Sequence, residues 1–423
     1  MAQPQRTVLP WISRDGKLII LARGLRILAQ GFLAVLLVIY LRKISFSLMQ
    51  VGAFLSIGVA GSAILALAVS LIAEKVGRRR LLVIFALLSA ASGLALVLSD
   101  SFPLLALFAF LGSITGTAGA GPSGPLFPLE QASLTGTAPP EKRTEVFAVY
   151  GIVATVGSAA GALVAGLPGY FENSLGLSET VAYKTIFVSY SLLFLLTALV
   201  YSLLSSSVEV CTSEQRFTNP FRLPSRRRIF TLTGLFSVDR FSGSLIVQSL
   251  VAYWFSTRFN IDISRLGVIF FVSHILEAVS LWLAARIASR IGLLNTMVFT
   301  HIPSSLFLIA ATFAPTGWLA VAFWQLRSLV GSMDVSTRDS YTMAVVSPEE
   351  RVAMASIHVV GGSITSSIAP TVSVALWNAF SASVPFTVCA LLKIVYDLSL
   401  YSIFRGVKPP EELLRSKKSR QNN

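Results

Sequence analysis

The sequence predicts an all-α membrane protein, with twelve transmembrane helices in two pseudo-symmetric six-helix bundles. Three observations carry that expectation. The 423 residues are 54% hydrophobic and only 13% charged, whereas a soluble chain is about 25% charged. Twelve apolar stretches are long enough for the roughly 20 helical residues that a bilayer core takes. One polar segment divides these stretches six and six, and the two sets share a faint internal repeat.

The expected spans lie near 17–41, 48–73, 79–99, 103–130, 144–168, 181–206, 229–256, 265–288, 293–313, 317–343, 351–378 and 382–405. The first contains Arg23 and Arg26 and is too long for the apolar core of a signal peptide, so it is read as a retained span. Within the fourth, GAGPSGPLFP (119–128) is rich in Gly and Pro and should break or bend the helix. The fifth, GIVATVGSAAGALVAGLPG (151–169), is built from small residues that let helices approach closely. The polar segment 207–228 holds five arginines and two prolines and reads as a solvated linker. The expected organisation is therefore an N-terminal half over 1–206, a linker over 207–228, a C-terminal half over 229–406 and a basic tail over 407–423.

Loop charge sets orientation in the membrane. Both tails and the even-numbered loops carry Arg14, Lys17, Arg78, Arg79, Arg80, Lys142, Arg143, the linker arginines, Arg290, Arg351 and the basic tail. The other face has Arg42, Lys43, Lys184, Arg258 and Arg265. This asymmetry places both termini and the linker in the cytoplasm. The formal net charge of +14 then serves topology and contact with anionic membrane lipid rather than nucleic acid. The two cysteines, Cys211 and Cys389, cannot make a disulfide framework or a four-ligand zinc site.

The repeat is weak residue by residue but keeps register with the six-plus-six division. A shift of 215 residues superposes VGAFLSIG (51–58) on LGVIFFVS (266–273) and AEKVG (73–77) on ASRIG (288–292). A shift of 208 places PPEKR (139–143) on SPEER (347–351), and LFPLEQASL (126–134) on DVSTRDSYT (334–342). Two parallel related halves suit a transporter that rocks about a central site.

With these features the chain resembles the major facilitator superfamily, in a little-characterised prokaryotic form. That family's loop between spans 2 and 3 follows G-x-x-x-D-[RK]-x-G-[RK]-[RK]. Here the loop stands as Ser70, Glu74, Lys75, Gly77, Arg78 and Arg79, with Ser for the first Gly and Glu for Asp. The second-half copy keeps Arg290 and Gly292 and has Ser289 in place of the acid. The resemblance implies the superfamily's fold, transport by alternating access, and a cytoplasmic latch at this loop. A plain cytoplasmic stop between two spans would also place arginines there. Two departures bear on activity. The family's R-x-x-Q-G of span 4 is missing from FLGSITGTAGAG (110–121), and span 5 lacks the Gly-Pro of the antiporter motif.

An ionisable side chain at the bilayer centre costs about 2.5–3.5 kcal/mol on insertion scales, so such residues are functional candidates. Glu130 with its repeat mates Arg338 and Asp339 joins Glu74, Lys75, Gly77, Arg78 and Arg290 as a candidate cytoplasmic gate. Arg26 and Gln30 of span 1, Arg240 and Gln248 of span 7, and Trp324 and Arg327 of span 10 are candidate substrate ligands. Asp239, Ser242, Ser249 and Tyr253 would form one polar stripe of span 7, and Arg240, Ser244 and Gln248 another. The arginines suit an anionic or zwitterionic group, and Trp282 and Trp324 offer stacking faces. Proton coupling needs a carboxylate whose protonation switches with its solvation and partners. Asp239 and Glu277 are the candidates, with Arg26, Arg240 or Arg327 as exchanging partners. Lys393 and Asp397, four apart on span 12, are expected to pair with each other. His274 and Glu277 make only half of a metal site, so no metal is expected.

The resulting expectation is a monomeric secondary transporter of a small molecule, proton-coupled and oriented toward efflux. An uncoupled facilitator or anion symporter of the same fold, and a membrane sensor without flux, stand as alternatives. No cofactor is expected. No G-x-x-x-x-G-K-[ST] loop or H-E-x-x-H motif suggests an enzyme.

Overall fold

The computed structural model describes residues 11–119, 124–139, 142–209, 225–344 and 350–407. The described residues form helices α1 (Arg14–Lys43), α2 (Leu48–Val76), α3 (Arg78–Leu98), α4 (Phe102–Leu111), α5 (Leu126–Leu134), α6 (Arg143–Val164), α7 (Leu167–Leu175) and α8 (Glu179–Ser202). After a 3-10 turn at Ser206–Glu209 come α9 (Arg226–Leu245), α10 (Gln248–Phe259), α11 (Ile263–Ile291), α12 (Leu293–Thr312), α13 (Gly317–Gly331), α14 (Met333–Ala344), α15 (Arg351–Ala379) and α16 (Val384–Phe404). Each expected span is occupied by one helix or by two short ones. Among the described residues nine helices are long and apolar enough to cross a membrane.

Helix starts follow local chemistry. Ser13 accepts the Gly16 amide at α1, and Ser47 with Gln50 forms a reciprocal capping box at α2. Four expected spans are interrupted, two of them where glycine and proline stand. The fourth leaves the helix at Gly112 and runs through left-handed backbone at Ser113, Gly116 and Gly124 before α5. This is the interruption expected of its Gly/Pro-rich run. The fifth breaks at Gly166, just before Pro168. The seventh breaks at Ile246, whose φ of −119° and ψ of 54° lie outside the helical region. The tenth breaks at Ser332.

The structure divides into two compact units. One holds the described residues up to 209 together with Gln248–Ser256 and Ile261–Phe271. Its core contains Phe32, Tyr40, Tyr190 and Phe194, and the Tyr40 hydroxyl donates to the Leu96 carbonyl at 2.6 Å. The small residues of α6 lie against α1. A Cβ on Gly161 would sit 2.3 Å from the Leu28 carbonyl oxygen and 2.8 Å from Gly31 Cα, so only glycine permits this crossing. Ser249 donates its amide to the Gly116 carbonyl at 3.1 Å, and Arg42 bonds the Tyr253 hydroxyl at 3.3 Å.

The other unit holds 225–247, Thr257–Asn260 and the described residues from 272. Its core gathers Ile229, Phe236, Met297, Tyr341, Tyr396 and Leu400. Large apolar side chains such as Leu71, Ile152, Leu192 and Ile364 remain exposed. In a chain of this hydropathy they are the lipid-facing surface.

Candidate functional site

The first unit encloses Glu130 of α5 completely. Its Oε2 accepts from Arg26 Nη2 and from the Tyr150 hydroxyl, both at 2.5 Å, and its Oε1 accepts from the Tyr201 hydroxyl at 2.5 Å. Arg23 Nη1 stands 3.8 Å from the same carboxylate. The Arg23 guanidinium lies over the Tyr150 ring, 4.6 Å from its centroid. The Arg23, Arg26 and Glu130 side chains are all 0% exposed. A sealed ion cluster of this kind ties helices together, because a buried carboxylate tolerates its site only when its lone pairs are filled.

The second unit arranges its charges differently. Asp239 of α9 receives Arg338 Nη1 on Oδ2 at 2.6 Å and Lys393 Nζ on Oδ1 at 2.7 Å. Asp334 stands 3.8 Å from Arg338. His301 of α12 bridges Lys393 and Asp397, with 3.1 Å on each side. Asp239, His301, Asp334, Arg338 and Lys393 border a cavity of about 170 Å³, whose wall also includes Ser304, Ser305 and Arg327. Arg327 lies over the Trp324 ring at 4.6 Å and has no carboxylate within salt-bridge distance among the described residues. Here, unlike around Glu130, three cations and two carboxylates line a cavity.

The sequence profile of the Major Facilitator Superfamily matches residues 19–326 and 232–422. The chain belongs to the Major Facilitator Superfamily. It is a multi-pass membrane transporter and not an enzyme. An uncharacterised membrane protein of Saccharomyces cerevisiae is 26% identical over 430 residues, spanning 93% of this chain and 95% of that protein. The nucleoside transporter NupG superposes with a TM-score of 0.74 at 15% identity, over 92% of this chain and 99% of that one. A bacterial homolog to the human lysosomal transporter Spinster gives 0.69 at 16% identity, over 93% and 95%. A D-xylose-proton symporter gives 0.70 at 11%, over 91% and 97%. At these identities the three structures share the fold.

The superfamily's loop between spans 2 and 3 is organised around a residue outside the motif. Gly77 has φ of +98°, which lets it end α2 and begin α3 at once. The carboxylate of Glu209 accepts the Arg78 amide at 2.6 Å and the Arg79 amide at 3.1 Å. It thereby caps the positive end of α3. Arg78 reaches the Ala132 carbonyl at 3.3 Å and Arg79 reaches the Ser202 carbonyl. Glu74 and Lys75, the motif's acid and base, are exposed on the last turn of α2.

The other expected site residues fall as follows. Arg26, a candidate substrate ligand, meets Glu130, a candidate gate residue. Asp239, a candidate proton site, meets Arg338, a candidate gate residue. Arg240 is half-buried, its stem 2.5 Å from where a Cβ on Gly362 would be. Gln30 is half-buried and Arg290 exposed. The side chain of Asp339 lies outside the described residues. Glu277 is bonded to His274 at 3.0 Å and is 34% exposed. Trp324 is buried and donates to Ser273 Oγ at 3.1 Å. Trp282, a stacking face on the condition that it faces inward, is 58% exposed and lies beneath Arg286 of its own helix. The two polar stripes expected along span 7 are also corrected. The break at Ile246 resets helical phase, and Gln248, Ser249 and Tyr253 belong to the first unit.

Lys393 is a further correction: it donates to Asp239 rather than to Asp397, which is bonded to His301. Sequence reasoning named Lys393 only as a partner of Asp397, and missed His301, Tyr150, Tyr201 and Glu209 as members of these clusters. Lys393 and His301 carried a usable signal as ionisable residues inside apolar helices. The tyrosines and Glu209 carried none, since tyrosines occur throughout the spans and Glu209 stands at a linker edge. Among the described residues no group of three or more His, Cys, Asp and Glu is placed to hold a metal ion.

Proposed function

We propose that this transporter is a proton-coupled secondary carrier of a small anionic or zwitterionic molecule, working by alternating access. Asp239 is its proton-accepting group and Arg327 its substrate anchor. One observation supports this most directly: the Asp239 carboxylate is shared between Arg338 and Lys393 at the wall of a polar cavity. A carboxylate whose cationic partners can exchange for a proton changes the charge offered to a ligand in the same space. Arg327 presents a planar donor fork beside it, suited to a carboxylate or phosphate. A D-xylose-proton symporter shares the fold, so proton coupling is compatible with this architecture. Glu277, bonded to His274 away from the Asp239 cluster, takes second place as a proton site.

The geometry supports coupling rather than a direction, so the efflux expectation gains nothing from it. The six-plus-six division and the cytoplasmic termini enter the proposal on the loop charges, in a cell-limiting membrane. The yeast relative means that a prokaryotic source is no part of the proposal. Both ion clusters close within one chain, which supports a monomer as the working unit.

The test uses purified protein in liposomes with a panel of small carboxylates, phosphates and amino acids. Asp239→Asn should abolish gradient-driven flux while counterflow exchange persists. Uphill transport unchanged in that variant would remove Asp239 from coupling. Wild-type flux that ignores a pH gradient would identify a facilitator, and binding without flux a sensor.

A further inference from the structure

His301 has both ring nitrogens engaged, and the chemistry of the two neighbours is unequal. Nδ1 lies 3.1 Å from Asp397 Oδ1 and Nε2 lies 3.1 Å from Lys393 Nζ. A lysine ammonium has three donors and no lone pair, and this one donates at 2.7 Å to Asp239 Oδ1. Nε2 must therefore accept from Lys393, and the ring proton resides on Nδ1, donated to Asp397. A second proton on the ring would occupy Nε2 and need an acceptor. The ammonium cannot provide one. Asp239 Oδ1 lies 3.8 Å from Nε2, and it is the oxygen Lys393 already holds.

We infer that His301 is a second proton-handling residue, and that its protonation transfers Asp239 Oδ1 from Lys393 to the imidazolium. The proton is taken up from hydronium of the surrounding solution, which is left as water, and only hydrogen bonds rearrange. Lys393 is displaced into the cavity it already lines, and the cluster gains one positive charge. Protonation and anion binding then favour each other, and linkage makes this effect reciprocal. The ionisable groups around His301 are Asp239 from α9, Arg327 from α13, Asp334 and Arg338 from α14, and Lys393, Tyr396 and Asp397 from α16. Asp397 holds the ring through one oxygen. Its Oδ2 is buried without a hydrogen-bond partner among the described residues. Asp397 thus acts as a positioning residue that sets the tautomer. The inference deepens the coupling reading above and rests on it for its place in transport.

The test is magic-angle-spinning NMR of full-length, 15N-histidine-labelled protein in lipid bilayers. The chain has three histidines, and His301→Gln identifies the signal. At high pH the ring should be neutral with its proton on Nδ1, and a doubly protonated signal, where it grows on acidification, should come with a proton on Nε2. Lys393→Met removes the competing cation and should raise the doubly protonated fraction roughly threefold. That gain should be smaller in an Asp239→Asn background, because the imidazolium has lost the carboxylate it would take over while the direct repulsion by Lys393, 3.1 Å from Nε2, remains. Asp397→Asn should independently weaken the Nδ1 preference, and Lys393→Gln serves where Lys393→Met does not fold. An Nε2–H ring at high pH, no response to Lys393→Met, or an equal response in the Asp239→Asn background would each overturn the inference. None of these readouts needs substrate or flux, so they fail separately from the liposome test of coupling.

Discussion

Arg26 and Glu130, 104 residues apart in the chain, meet at 2.5 Å with both side chains wholly buried. Arg23 stands on the same carboxylate, so two cations share one anion. Sealed from solvent, this cluster reads as a structural clamp on α1, α5, α6 and α8.

An order of effects follows. Glu130→Gln removes the carboxylate that both buried arginines meet, which should cost about 3–5 kcal/mol. Arg26→Met should cost less, because Arg23 still balances Glu130. Thermal unfolding in detergent, followed by tryptophan fluorescence, would rank the two variants. A milder effect for Glu130→Gln would contradict the clamp.

Glu209 makes a second prediction. Its carboxylate receives the first two amides of α3, and a Cβ at Gly77 would come within 3.0 Å of it. Glu209→Ala should lose about 1 kcal/mol of local stability, as capping residues do. The amides of Arg78 and Arg79 should then exchange with deuterium faster while those deeper in α3 do not. Gly77→Ala should cost about 1–3 kcal/mol, since its backbone conformation is reserved to glycine. Unchanged exchange at Arg78 in Glu209→Ala would show that the cap is dispensable.

Arg327 provides the third. Compounds that bind raise the apparent melting temperature. Carboxylates or phosphates that do so for the wild type should lose the effect in Arg327→Ala. Arg327→Lys keeps the charge but loses the planar fork and the contact with Trp324, so it should bind about tenfold more weakly. Neutral compounds should be unaffected. Equal shifts for anions in all three proteins would move the anchor elsewhere.

The fold was legible in the sequence to a considerable depth. Apolar length announced the spans, and the Gly/Pro-rich run announced the break after α4. The candidate site was legible only as a set of residues. Arg26, Asp239, Glu130 and Arg338 were each singled out, yet they were grouped by span and by repeat position, as if each span were one unbroken helix. The interruptions at Ile246 and Ser332 defeat such grouping, because each divides a span into two helices. Lys393 and Asp397 illustrate the same limit. Four residues apart on an isolated helix they attract each other weakly, but a buried carboxylate on α9 offers Lys393 a stronger partner.

The sequence alone determined that this chain is helical, membrane-spanning, rich in basic residues between its apolar stretches and interrupted where glycine and proline gather. Those properties follow from hydropathy, loop charge and backbone freedom, all of which act over a few residues. Tertiary structure alone decided which charges meet: Glu130 with Arg26, Asp239 with Arg338 and Lys393, His301 with Asp397, and Glu209 with the start of α3. Ion pairing in a low-dielectric interior depends on which helices adjoin and where they break, and no local pattern in the chain encodes that.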